Sequence, residues 1–129
     1  MDSARVTFLD VAATVERVRA AAGRVCASDP NVVAVVLFGS LASGQATPSS
    51  DADLLVVLRQ DDRRLIDRIP DYGRAFEELG LATQVLPWTE QELADRVAEG
   101  DPFATEILRT GKVMAGKKPG GGRGDTGER

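Results

Sequence analysis

Apolar and polar residues alternate along this chain with a period that changes from segment to segment, and each change marks an element. Phe8, Val11, Val15, Val18, Ala22 and Val25 recur at alternating steps of three and four, the spacing of one helical face. Glu16, Arg17, Arg19 and Arg24 fall on other faces, so the segment reads as a helix with one buried stripe and Thr7 as its N-cap. Asp29-Pro30-Asn31 ends it, because proline disfavours the α conformation in the residue before it. From Val32 to Phe38 the period disappears into an apolar run rich in β-branched valine, and Leu54 to Leu58 repeats this. Such runs predict strands covered on both faces. Helical spacing returns between Asp61 and Leu79, with Leu65, Ile66, Ile69, Tyr72, Phe76 and Leu79 as the apolar set. Pro70 is expected to split this region into a short helix and a longer one, and Gly80 to close it as the C′ residue.

Leu81 to Leu86 reads as a third strand, less apolar, carrying Thr83 and Gln84. A helix start follows: Thr89 as N-cap, Glu92 at N3 to complete a capping box, and Trp88 packing on Leu93 as a hydrophobic staple. Asp101-Pro102 opens a further helix, Gly111 closes it, and Val113-Met114 adds a short last strand. The order of elements predicts an α/β fold, a sandwich in which a small mixed β-sheet is covered by helices. One domain is expected over residues 1–115. Residues 116–129, GKKPGGGRGDTGER, are glycine-rich, charged and without apolar side chains, and read as a disordered tail.

Composition narrows the chemistry. The 16 basic and 20 acidic residues give a net charge of −4, which argues against a broad nucleic-acid-binding face. The longest apolar run is too short to cross a bilayer, and no charged segment followed by an apolar one opens the chain, so a cytoplasmic protein without membrane contact is expected. With no histidine, acid–base or metal chemistry must rest on carboxylates. Cys26 is the only cysteine, which rules out an internal disulfide, and its neighbours Val25 and Ala27 point to a packing role.

The candidate chemistry lies between the two apolar runs. The first run leads into Gly39-Ser40, and the second is introduced by Asp51 and Asp53. On a strand these carboxylates share one face about 6–7 Å apart, a separation that lets both hold one Mg²⁺ or bridge a pair. The same pair also fits a polar strand start facing solvent. Gly39 would let the backbone approach a ligand closely, and Ser40 adds a hydroxyl donor for a phosphate oxygen. A short helix through Leu41-Ala42 would turn its N-terminus toward that anion.

Gly39-Ser40, a ten-residue spacer from Leu41 to Ser50, and then Asp51-x-Asp53 resemble the signature of the polymerase-beta-like nucleotidyltransferase superfamily. The wording LFGSLASGQATPSSDADLLVVL, with VLPWTEQELADRVAEGDPFATEILRTGKVMAG further on, most resembles the minimal nucleotidyltransferases found in HEPN/MNT toxin–antitoxin pairs. The resemblance implies the nucleotidyltransferase fold and an NTP substrate, ATP first among them. It implies Mg²⁺ on Asp51 and Asp53, phosphates near Gly39, Ser40 and Ser50, and transfer of AMP to a hydroxyl, plausibly on a HEPN-type partner protein. The family's third carboxylate position is taken here by Gln84, which offers neither charge nor a base near neutral pH, and Ser43 stands where many relatives carry arginine. A second reading therefore stands beside the enzyme: a degenerate domain of the same fold that neutralises a partner by contact alone.

Overall fold

The computed structural model describes residues 8–44 and 51–119; Thr7, Ser50 and residues 120–129 lie outside the described residues. Its elements are α1 (Phe8–Ser28), β1 (Val32–Phe38), α2 (Ser40–Ser43), β2 (Ala52–Leu58), α3 (Leu65–Arg74), β3 (Thr83–Thr89), α4 (Glu90–Ala98), α5 (Pro102–Thr110) and β4 (Lys112–Gly116), with a 3₁₀ turn at Glu77–Leu79. The four strands form one mixed sheet in the order β3-β2-β1-β4. β1 pairs antiparallel with β2 and β4, and β2 pairs parallel with β3.

Helices cover both faces, which is why the two central strands are apolar without alternation. Val35 and Leu37 of β1 and Leu54, Val56 and Leu58 of β2 pack with Val18, Ala22 and Val25 of α1 and with Tyr72 and Phe76. The opposite face holds Ala34, Val36, Leu55 and Val57 against Trp88, Leu93, Ala104 and Ile107, so α4 and α5 form the second layer. Burying these aliphatic side chains contributes about 1.5–3 kcal/mol each relative to leaving them exposed. Arg17 ties α1 to the 3₁₀ turn by donating to the Leu79 carbonyl. Gly80 follows that turn in the left-handed conformation (φ 70°), as expected of a C′ glycine.

Several local expectations change. Pro70 does not divide α3: the helix runs unbroken from Leu65 to Arg74 with the proline inside it, and the break comes after Arg74. Ile66 and Ile69 are not core residues, being 67% and 38% exposed, whereas Arg68 is 3% exposed. The guanidinium is buried because every donor direction is answered. Nε donates to Arg63 O (3.0 Å), Nη1 to Pro87 O (3.0 Å) and Glu92 Oε1 (2.7 Å), and Nη2 to Asp61 O (2.9 Å) and Glu92 Oε2 (2.9 Å). The third strand begins two residues later than expected and runs to Thr89, directly into α4.

The helix starts behave as read from sequence. The Glu92 amide donates to Thr89 Oγ1 (3.1 Å) and the Thr89 amide to Glu92 Oε1 (2.9 Å), a complete capping box. Trp88 and Leu93 share one buried cluster. Asp101 caps α5 by accepting from the Phe103 amide (3.0 Å), with Pro102 in the first turn. Cys26 is half-buried on α1, and burial pushes its thiol up, consistent with a packing role. At the other end of the chain the sheet continues through Gly116, and the Lys117 amide donates to Val33 O (3.2 Å).

Candidate active site

At one end of the sheet β1 finishes while β2, β3 and β4 begin, so four strand termini meet there. In register, Phe38 stands beside Asp53, and Asp53 beside Gln84. Side chains alternate along a strand, and Val36, Leu55 and Leu86 all belong to the cluster under α4 and α5. Phe38, Asp53 and Gln84 therefore share that face, and Asp51, two residues before Asp53, joins them. The Gln84 Nε2 group donates to Asp51 Oδ2 at 3.3 Å. Gln84, the residue the sequence resemblance sets in place of a third acid, is thus in register with Asp53 and holds the Asp51 carboxylate through its amide.

Gly39 is required here by the protein itself. Its backbone (φ 77°, ψ −155°) lies in a region essentially restricted to glycine. A Cβ at this position would stand 2.2 Å from Asp53 Oδ2. Close approach was expected toward a ligand; the first group to use it is the Asp53 carboxylate. The helix after it is a single turn, Ser40–Ser43, anchored by buried Leu41 and Ala42. Its Ala42 and Ser43 amides both return to the Gly39 carbonyl (3.1 and 3.0 Å), and one turn sums very little dipole. The anion-attracting helix N-terminus expected from sequence is accordingly weak.

An open cleft of about 440 Å³ starts at Gly39, the residue packed against Asp53, and is lined by Phe38, Gly39, Ser40 and Ser43 together with Phe103, Glu106, Ile107 and Thr110 of α5. Among the described residues no cationic side chain lines it. Ser43 points its hydroxyl back to Ser40 O (3.3 Å). Asp71 and Glu78, the other carboxylates near the third strand in sequence, are engaged elsewhere: Asp71 with Arg63 (2.6 Å) and Arg74 (3.1 Å), Glu78 with Arg24.

Burial and then the neighbouring Asp51 charge hold the Asp53 carboxyl above the usual carboxylate range. Among the described residues no lysine or arginine forms an ion pair with Asp51 or Asp53. Two like charges without a protein counter-ion suit a hard divalent cation bound through oxygen. No group of three or more potential metal-ligating acids, cysteines or histidines exists among the described residues. Any such cation would take its remaining ligands from water or substrate, the usual arrangement for Mg²⁺ at phosphate-handling sites.

Sequence reading missed one contributor to the cleft, Phe103, and one buried residue away from it, Arg68. Phe103 entered it only as part of a helix, and nothing in one dimension brings α5 over the end of β1. Arg68 had a signal: with Leu65 and Tyr72 it sits at steps of three and four on one helix face, an arginine within an apolar stripe.

The nucleotidyltransferase domain family matches residues 18–101. Among solved structures, the "putative nucleotidyltransferase from Sulfolobus solfataricus" is similar at 25% identity and a TM-score of 0.55, covering 67% of this chain and 75% of that one. A toxin–antitoxin structure with AMP-PNP aligns at 15% identity and a TM-score of 0.47, over 81% of this chain and 74% of that one. A search of curated protein sequences gave no match.

Proposed function

Since the chain belongs to the nucleotidyltransferase domain family, with the family match covering residues 18–101, we propose that it transfers a nucleoside monophosphate, AMP from ATP, to an acceptor hydroxyl on a partner protein. The observation that carries this reading is the contact of Gly39 with the Asp53 carboxylate, which brings the Gly-Ser turn and the Asp-x-Asp pair together beside an open cleft. Asp51 and Asp53 would hold Mg²⁺, which when bound supplies positive charge to the phosphates that the cleft's own residues lack. Gly39 and Ser40 receive the phosphate chain, and Ser50, outside the described residues, belongs with them by its place next to Asp51. The acceptor oxygen bonds to the α-phosphorus as the bond to the bridging oxygen breaks, and pyrophosphate leaves. Gln84 cannot take the hydroxyl proton, so that proton passes to solvent, and rate enhancement comes mainly from positioning. The partner, of the HEPN type, and the choice of ATP rest on the sequence resemblance; the acidic balance of the chain speaks against a nucleic-acid acceptor.

Incubation with labelled ATP, Mg²⁺ and the partner tests this. Label should appear on the partner only with the divalent cation, and Asp53→Asn should abolish it; equal transfer by that variant sinks the proposal.

One observation favours a second reading. Gln84 fills the third-acid position and spends its amide on Asp51, the arrangement expected of a site that has lost turnover and kept its fold. In that case a double variant, Asp51→Ala with Asp53→Ala, would still neutralise the partner, whereas the enzyme reading requires neutralisation to disappear.

A further inference from the structure

Phe103 is 49% exposed in the first turn of α5, yet its ring is not loose. It meets Phe38 edge-on (centroids 5.8 Å apart, 79° between planes) and Trp88 likewise (6.1 Å, 88°). Two perpendicular neighbours fix the ring plane while half of its surface stays open, and the open part lines the cleft that also contains Gly39 and Ser40. The helix under it is fixed by the Asp101 cap and Pro102. Three residues further along, Glu106 lines the same cleft, its side chain 56% exposed and its carboxylate steadied by Arg109 Nη2 at 2.9 Å. A flat apolar platform with an acceptor-only group at its edge is suited to a planar ring bearing N–H donors.

We propose that Phe103 is the stacking platform for the nucleobase of the donor nucleotide and that Glu106 reads an exocyclic amine on its edge. This rests on the nucleotidyltransferase reading given above. The cleft volume of about 440 Å³ falls within the usual range for small-molecule sites, and the phosphate-side residues face the platform across it. Among the described residues no cation lines the cleft, so the exposed ring is the largest apolar surface there that can add binding energy to the phosphate contacts. Phe103 is then a specificity-determining residue rather than a catalytic one.

Calorimetric titration of the full chain with ATP and with inorganic tripolyphosphate, each in Mg²⁺, separates base from phosphate recognition. Phe103→Leu keeps an apolar contact with Phe38 and Trp88 but loses the flat face. It should weaken ATP binding about ten-fold or more, the scale of one base–aromatic stack, and leave tripolyphosphate within about two-fold. Phe103→Tyr should bind ATP as the parent does, and Glu106→Ala should erase any preference for ATP over inosine triphosphate. A melting temperature near the parent's certifies the fold of each variant. Unchanged ATP affinity in Phe103→Leu overturns the assignment, as does equal weakening of both ligands or loss of transfer with ATP affinity intact, which would give the cleft to the acceptor. If the parent binds neither ligand, the nucleotidyltransferase reading fails and takes this one with it; if the parent binds both and Phe103→Leu has no effect, only the platform fails.

Discussion

Replacing Gly39 with alanine asks an L-residue to hold a glycine-only conformation and drives its Cβ into Asp53 Oδ2. The expected cost is about 1–3 kcal/mol, read by urea denaturation, with the larger consequence that Asp53 is displaced and any Mg²⁺-dependent rise in melting temperature disappears. Asp53 carries a testable sign. Its folded carboxyl is raised by burial and by Asp51, so its contribution to stability is fully present below the unfolded carboxylate pKa and is lost as pH rises through the folded value. Asp53→Asn should therefore raise the melting temperature of the metal-free protein near neutral pH by about 1 °C, a small shift because the carboxyl is only partly buried and solvent screens it. The gain should vanish near pH 3, and a variant less stable than the parent at pH 7 would contradict the electrostatic account. Gln84→Asp is the complementary change. A third carboxylate beside Asp51 and Asp53 should lower metal-free stability and enlarge the stabilisation by Mg²⁺, both visible in paired thermal melts.

At the scale of elements, Arg68 joins α3 to the start of α4 through Glu92 and to β3 through the Pro87 carbonyl. Its burial is tolerable only because those partners are present, so Arg68→Ala strands carbonyls at Pro87, Arg63 and Asp61 and should cost about 2–4 kcal/mol in chemical denaturation. Glu92 feels the same contact. Its carboxyl is lowered chiefly by the hydrogen bond from Arg68, despite partial desolvation. The sign is opposite to that of Asp53: stability is present above the ordinary glutamate pKa of about 4.3 and lost as pH falls through the lowered folded value. The parent should lose stability steeply below about pH 4.3, and Glu92→Gln should flatten that limb. An acid limb of unchanged slope in Glu92→Gln would show that the linkage lies elsewhere. The exposed Ile66 and Ile69 of α3 are the counterpart of this lock: once the helix turns Arg68 inward, the isoleucines two positions before it and one after it face out.

For the molecule as a whole, the described residues end at Pro119. Lys118 and Pro119 line a small cavity with Val36, Ile107 and Leu108 at the edge of the sheet. Residues 120–129 have no apolar side chain with which to join it, and truncation after Pro119 should shift the melting temperature by less than about 1 °C, within the range of ordinary surface changes. The layered arrangement also explains where a ligand can reach. Among the described residues both central strands are covered on both faces, and the cleft beside Gly39 opens at the sheet end where β1 finishes and β2 begins, between α2 and α5.

By itself the sequence determined the layers of this protein and the identity of its carboxylate pair. Periodicity and its loss report burial directly, so Val32–Phe38 and Leu54–Leu58 were legible as central strands, and the capping residues Thr89 and Asp101 were legible because caps are local hydrogen bonds. The pairing of Gly39-Ser40 with Asp51 and Asp53 was legible through their spacing. What only the tertiary structure decided lies between segments far apart in the chain. The Asp53 carboxylate occupies the space that makes Gly39 obligatory, Gln84 falls in register beside it and turns to Asp51, Arg68 rather than Ile66 or Ile69 enters the interior, and Phe103 leans over the end of β1. Each depends on sheet register and helix rotation, which are fixed by the sum of many packing contacts and leave no local mark in the order of residues.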